Sequence, residues 1–181
     1  MITRKEQAEN KKNAIIAASL ELFFEKGYET TSIRMIQDKV ESTPGLFYHY
    51  FESKDKVFDE AIKLFFKSYE DEMQMIVDDT HTHTKGALKR YIEYIFDATI
   101  DFRKKYLLKL HWTILGAIRE YTVRLMRKYI FDILSIYREK NIIDIDSDRL
   151  EMISNLIAFG VGGSILYQDG DTFTKQKQEI Y

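Results

Sequence analysis

The residues best placed to do chemistry lie between Thr43 and Phe51. There, five consecutive rings, counting the His49 imidazole, follow the single proline of the sequence, Pro44. An apolar core has no use for two phenols and an imidazole side by side. Tyr48 and His49 can donate hydrogen bonds to phosphate oxygens. Leu46 can touch a thymine methyl. Gly45 has no side chain and lets a partner approach the backbone closely. Thr43 as N-cap with Pro44 at the first helical position opens a short helix, whose unpaired N–H groups and partial positive charge suit an anion. The chemistry on offer is non-covalent recognition of a nucleic-acid duplex.

Such a helix needs support. Phe47, Tyr50 and Phe51 fall at i, i+3 and i+4 and share one face, leaving Thr43, Pro44, Gly45, Leu46, Tyr48 and His49 on the other. A preceding short helix, capped by Thr31, carries Ile33, Ile36 and Val40 on one side. Before it, Ile15, Ala18, Leu22 and Phe23 stripe a helix over residues 11–26, which Gly27 ends after Lys26. Three helices then close around one small core. The last two form a helix-turn-helix, whose second helix enters the major groove by its N-terminal end. Thr31, Ser32 and Arg34 at the start of the second helix, and Lys54 at the start of a fourth that Ser53 caps, would flank the groove.

Composition sets the frame. The chain has 181 residues, a net charge of -2, 45% hydrophobic residues and no cysteine, so disulfides, zinc-thiolate sites and thiol nucleophiles are excluded. Eight glycines and one proline, with no hairpin signals, predict an all-α protein. The charged start has no signal-peptide core, and no apolar run reaches membrane-spanning length, so a cytoplasmic protein is expected. Residues 1–56 hold nine Lys/Arg and nine Asp/Glu. Affinity for DNA would therefore rest on the local placement of Arg4, Lys5, Arg34 and Lys54 rather than on bulk charge.

Beyond Lys54 the helical stripes lengthen. Phe58 to Ile76 marks one helix that leaves the small module and enters a larger one. Leu88 to Thr99 marks the next, with a break near Lys104-Lys105 and a short helix over Tyr106, Leu107 and Leu110. Ile118 to Tyr137 and Leu150 to Ser164 mark two more. A metal site at His81 and His83, in a polar connector, would need further ligands such as Asp78 or Asp79, and a solvated loop is expected there instead. No metal or cofactor is expected, and no Ser/His/Asp or paired-carboxylate group points to catalysis. The tyrosines of the larger module either pack its core or line an apolar cavity with polar handles. His111 beside Trp112 reads as a hydrogen-bonded core histidine ahead of a cavity wall. Gly160, Gly162 and Gly163 inside a helix cost ~1 kcal/mol each relative to alanine, which close approach of another helix, from the same chain or a second one, would offset.

The run AIIAASLELFFEKGYETTSIRMIQDKVESTPGLFYHYFESKDKVFDEAI resembles the N-terminal domain of TetR-type transcriptional regulators. The matching features are the LELF-x-x-x-G-Y helix end, T-T-x-x-x-x-I, and G-x-x-Y-x-Y-F-x-S-K. The resemblance implies a three-helix helix-turn-helix DNA-binding domain over residues 1–53 and a helical ligand-binding and dimerisation domain over residues 54–181. It places Thr43, Pro44, Gly45, Leu46, Tyr48 and His49 on the DNA-reading helix, and Thr31, Ser32 and Lys54 on phosphates. Glu41 stands where the family commonly has a turn glycine, Pro44 where it has a lysine, and Leu46 where it has a small polar residue. The resemblance further implies an effector cavity, for which Tyr91, Phe96, His111, Trp112, Tyr121 and Met126 are the candidates. It also implies a homodimer held by the last two helices, marked here by Gly160, Gly163 and Tyr167.

The function expected is a ligand-responsive DNA-binding regulator, a repressor that a small molecule releases from a double-stranded operator. The rival is an all-helical enzyme or interaction scaffold whose N-terminal unit leaves DNA alone.

Overall fold

A computed structural model describes residues 3–106 and 110–166. Among them are seven helices and no strand: α1 (Arg4–Lys26), α2 (Ile33–Lys39), α3 (Pro44–Tyr50), α4 (Lys54–Thr80), α5 (Ala87–Tyr106), α6 (Trp112–Glu139) and α7 (Ser147–Leu166). The described residues are all-helical in their regular structure, as the scarcity of breakers predicts. Tyr167 and the tail from Asp169 lie outside the described residues. So does Leu107 of the expected short helix; Tyr106 closes α5 instead, with Lys104 and Lys105 in its last turn.

Local chemistry accounts for the ends. α1 starts at Arg4, not at residue 11, because Thr3 and Glu6 form a capping box: Glu6 N donates to Thr3 Oγ1 at 3.2 Å and Thr3 N to Glu6 Oε2 at 2.6 Å. These bonds hold the Glu6 carboxyl below its ordinary range. α1 stops at Gly27, whose φ of 82° and ψ of 167° belong to glycine almost alone. Ser53 opens α4 by accepting from Lys56 N at 3.3 Å.

The chain divides into two compact units. The first comprises Met1–Lys67 and Tyr106–Ile118; the second comprises Ser68–Lys105 and Arg119–Tyr181. The first unit's core holds Ile15, Leu22 and Phe23 of α1, Ile36 of α2, Phe47 and Phe51, and Val57, Ala61 and Phe66 of α4, all buried. Phe23 meets Phe58 edge-on at 5.1 Å, and Phe24 meets Phe65 and Tyr106 at 5.2 and 6.1 Å. Tyr50, Ile33 and Val40 reach only half-burial.

In the second unit α5, α6 and the C-terminal half of α4 bury Met73, Val77, Tyr91, Ile95, Tyr129 and Ile133. Tyrosine hydroxyls find partners inside it: Tyr94 donates to Tyr69 O at 3.4 Å, Tyr129 to Glu70 O at 3.3 Å, and Tyr137 accepts from Leu88 N at 3.1 Å. The polar connector after α4 is tied by its own side chains, with Asp79 bonded to His83 Nδ1 at 2.6 Å and to Arg90 at 3.0 Å. No helix among the described residues is long and apolar enough to cross a membrane.

Candidate nucleic-acid interface

α3 is short enough that each side chain has one of two fates. Phe47 has no exposed surface and Phe51 is buried, whereas Tyr48 is 60% exposed and His49 lies on the surface beside it. The Tyr48 ring leans edge-on against Phe47 at 5.5 Å, so the buried ring orients the exposed one. Thr43 and Gly45 are exposed and Leu46 is half-buried. Pro44 occupies the first turn, as expected, but Thr43 makes no side-chain cap bond, which leaves its hydroxyl free for an outside partner. A Cβ at Gly45 would meet nothing within 4 Å among the described residues. The fold itself therefore has no need of glycine there.

The turn before α3 bears out the reading of Glu41 as a residue in a glycine's place: its φ is +50°. The turn is closed by Ser42 N donating to Gln37 O at 3.0 Å.

The start of α2 differs from expectation. Ser32, not Thr31, is the N-cap, accepting from Met35 N at 3.2 Å. Thr31 is fully buried, and its hydroxyl bonds to Gly27 O at 2.8 Å and Leu22 O at 3.2 Å. It ties the end of α1 to the start of α2, so its side chain is withdrawn from any phosphate. The exposed Ser32 hydroxyl keeps its proton to donate while it caps. Arg34 is exposed and loosely paired with Asp38 at 4.0 Å.

Lys54 is held by a residue the sequence reading passed over. Its ammonium donates to Tyr28 O at 2.9 Å and lies 4.1 Å from the centre of the Tyr28 ring. Tyr28 in turn stacks on Phe23 and donates to Asp55. Burial, then the Asp55 bond, pushes the Tyr28 phenol up to about 12. The Tyr28 carbonyl and ring thus fix where the Lys54 ammonium sits at the start of α4. The signal was present in the Gly-Tyr that ends the α1 pattern.

The comparisons with known proteins bear on this module directly. Residues 15–61 match the family model described as bacterial regulatory proteins, tetR family. Over those residues the chain is similar to the TetR-type regulators. It is 34% identical over 106 residues to the HTH-type transcriptional regulator HbdR of Aromatoleum sp. (strain CIB), covering 55% of this chain and 46% of that protein. It is 28% identical over 96 residues to the biofilm-operon negative transcriptional regulator IcaR of Staphylococcus aureus (strain Newman), covering 52% of this chain and 51% of that protein. The chain thus spans about half the length of the curated relatives it matches. Its fold resembles that of RolR in complex with resorcinol, with a TM-score of 0.58 at 14% identity over 92% of this chain and 83% of that one.

The six residues named for an effector cavity have different surroundings. His111 and Trp112 belong to the first unit; Tyr91, Phe96, Tyr121 and Met126 belong to the second. Trp112, the first residue of α6, is 75% exposed. His111 caps that turn, its Nδ1 2.8 Å from Thr113 Oγ1. Tyr91 and Met126 are fully buried, and Phe96 nearly so. Tyr91 donates to Met73 Sδ at 3.6 Å, and burial raises its phenol well above the ordinary value. Tyr121 donates to Glu70 Oε1 at 3.0 Å with the Arg124 guanidinium 4.4 Å from its ring centre.

On α7, Gly160 and Gly163 are exposed, and a Cβ on either would meet nothing within 4 Å among the described residues. Gly162 is the packed one, with Val123 Cγ2 2.9 Å from where its Cβ would lie. Met152, Leu156 and Phe159 are exposed on the same helix. They join Gly160 and Gly163 at i, i+4, i+7, i+8 and i+11, a single stripe.

Proposed function

We propose that the chain is a homodimeric DNA-binding transcriptional regulator, a repressor that leaves its operator when a small molecule binds. The observation that carries the reading is the division of α3: Phe47 is sealed in the core while its neighbour Tyr48 is 60% exposed. Thr43, Pro44, Gly45, Leu46, Tyr48 and His49 would read the major groove, with Ser32, Arg34 and Lys54 on flanking phosphates. Thr31 is dropped from that set because its hydroxyl is spent inside the fold. Residues 1–53 would serve DNA and residues 54–181 effector binding and dimerisation, in a protein acting in the cytoplasm without catalysis.

Dimerisation through the exposed apolar stripe of α7 would set two α3 helices one helical turn of DNA apart, about 34 Å. An effector that prefers a conformer with another spacing would release the operator by shifting the population. Binding of resorcinol by RolR is that protein's property; it supports a small-molecule effector here without naming one.

A mobility-shift assay with duplex DNA from upstream of the chain's own gene tests the reading. The wild-type chain is expected to shift it, and Tyr48→Ala to lose the shift with helicity and dimerisation intact. Unchanged affinity in Tyr48→Ala would remove α3 from the interface. Failure of the wild-type chain to shift any duplex at low salt would favour the enzyme or scaffold reading.

A further inference from the structure

α1 begins well before the core it serves. The helix starts at Arg4, but its first buried residue is Ile15. Steps of seven residues return to nearly the same side of a helix. Arg4, Lys11 and Ala18 are in line, and so are Lys5, Lys12 and Ser19. Ala18 and Ser19 are buried. The side of α1 that packs against the module over residues 15–23 is therefore cationic over residues 4–12, where it overhangs the core. A helix charged only for solubility would carry its cations on the opposite, outward side.

These cations are unspent. Arg4, Lys5 and Lys11 are exposed and make no ion pair among the described residues. Lys12 is half-buried, and its field reaches Glu60, which is itself bonded to Lys63 at 2.7 Å. Elsewhere in the first 56 residues Lys26, Arg34 and Lys39 pair with Glu25, Asp38 and Glu21, and Lys54 is engaged by Tyr28; Lys56 is the other cation without a pair. Of the two acids in the overhang, Glu6 lies on the far side, occupied by the capping box, and Glu9 at the edge of the row. α3 carries no Lys or Arg at all. The module is electrically neutral overall, and among the described residues three of its four exposed cations without an ion pair, Arg4, Lys5 and Lys11, lie on this overhang.

We infer that the Arg4, Lys5, Lys11 and Lys12 face of α1 is a second phosphate-binding surface for the same duplex, distinct from the side chains of α2, α3 and α4. Charge complementarity selects the partner, and the contact supplies affinity without base preference. The inference rests on the reading of α3 as the DNA-recognition helix.

The test uses the full chain, its upstream duplex, a random-sequence duplex and phosphatidylserine vesicles, and compares wild type, Tyr48→Ala and the triple variant Arg4→Gln, Lys5→Gln, Lys11→Gln. Glutamine keeps helix propensity, and circular dichroism verifies the fold. The triple variant is expected to bind both duplexes at least tenfold more weakly near physiological salt. Its slope of log affinity against log salt should flatten by about 2 to 3, since each phosphate contact contributes about 0.9. Its preference for the upstream duplex over random DNA should be unchanged. If wild type binds, Tyr48→Ala fails and the triple variant matches wild type in affinity and slope, this inference falls while the reading of α3 stands. Loss of sequence preference in the triple variant, or vesicle binding that depends on the three cations while DNA binding does not, overturns it as well. If wild type binds neither duplex, both readings fall together.

Discussion

His111 occupies the space that a side chain at Gly27 would need: a Cβ built on Gly27 would lie 2.3 Å from His111 Nδ1. The contact is reinforced by the His111 backbone, whose N–H donates to Phe24 O at 2.9 Å. The turn that opens α6 is thereby seated on the end of α1, immediately before the corner that Thr31 ties to α2.

Gly27→Ala should be among the most damaging small substitutions in the first unit. The backbone conformation alone makes a non-glycine residue cost ~1–3 kcal/mol, and the imidazole adds a clash. Urea unfolding of Gly27→Ala, His111→Ala and the double variant separates the two contributions. The double variant should be more stable than the sum of the single effects, because removing the ring leaves only the backbone cost. Strict additivity would mean that the ring does not press on Gly27.

Gly45 offers the opposite case. Its side-chain direction is open, and its φ lies outside the left-handed region. Gly45→Ala should therefore stabilise the chain by up to ~1 kcal/mol through helix propensity and at the same time weaken operator binding, because a methyl now stands between the backbone and the DNA. Thermal unfolding and a titration with the upstream duplex check the two halves. Stabilisation with undiminished affinity would show that no partner approaches the backbone there.

Much of the first unit was legible because its core repeats at helical spacing. Ile36, Phe47 and Phe51 announced their burial by position, and Tyr48 its exposure by sitting between them. The strained φ of Glu41 was legible as a residue in a glycine's place. What escaped depended on contacts between distant residues. Thr31 and Ser32 are adjacent hydroxyls with equal claims to cap α2; only the carbonyls of Leu22 and Gly27 decide that Thr31 turns inward. Trp112 and His111 read as a pair, yet one is on the surface and the other wedged against Gly27. The Thr3-x-x-Glu6 capping box was open to reading but went unread, because no apolar stripe follows it until Ile15.

Tyr28 couples the first unit to alkaline pH. Burial and the bond to Asp55 raise its phenol to about 12, above the ordinary value near 10. The folded state favours the protonated phenol, so this contribution to stability is complete below about pH 10 and is lost as pH climbs toward about 12. Tyr28→Phe keeps the ring that stacks on Phe23 and meets Phe58 edge-on but has no proton to lose. Unfolding free energies followed from neutral to alkaline pH should fall less steeply for Tyr28→Phe than for wild type. Parallel curves would show that the Tyr28–Asp55 bond makes no such contribution.

The exposed stripe of α7 separates a partner from a packing accident. Phe159, 63% exposed, and Leu156 stand beside Gly160 and Gly163. An interior helix end would bury such residues, and a free surface gains nothing from them. Glycines with open space beside them allow another backbone to come close, which exposed alanines would resist. If a second copy of the chain covers this face, Leu156→Glu with Phe159→Glu should convert dimer to monomer in sedimentation at micromolar concentration, because each introduced carboxylate would be desolvated against its symmetry mate. Helicity should be retained, since both positions already face outward. Operator affinity should fall steeply, because each half-site is then bound without the gain in effective concentration that a linked second site provides. A double variant that stays dimeric would place the interface elsewhere on the chain.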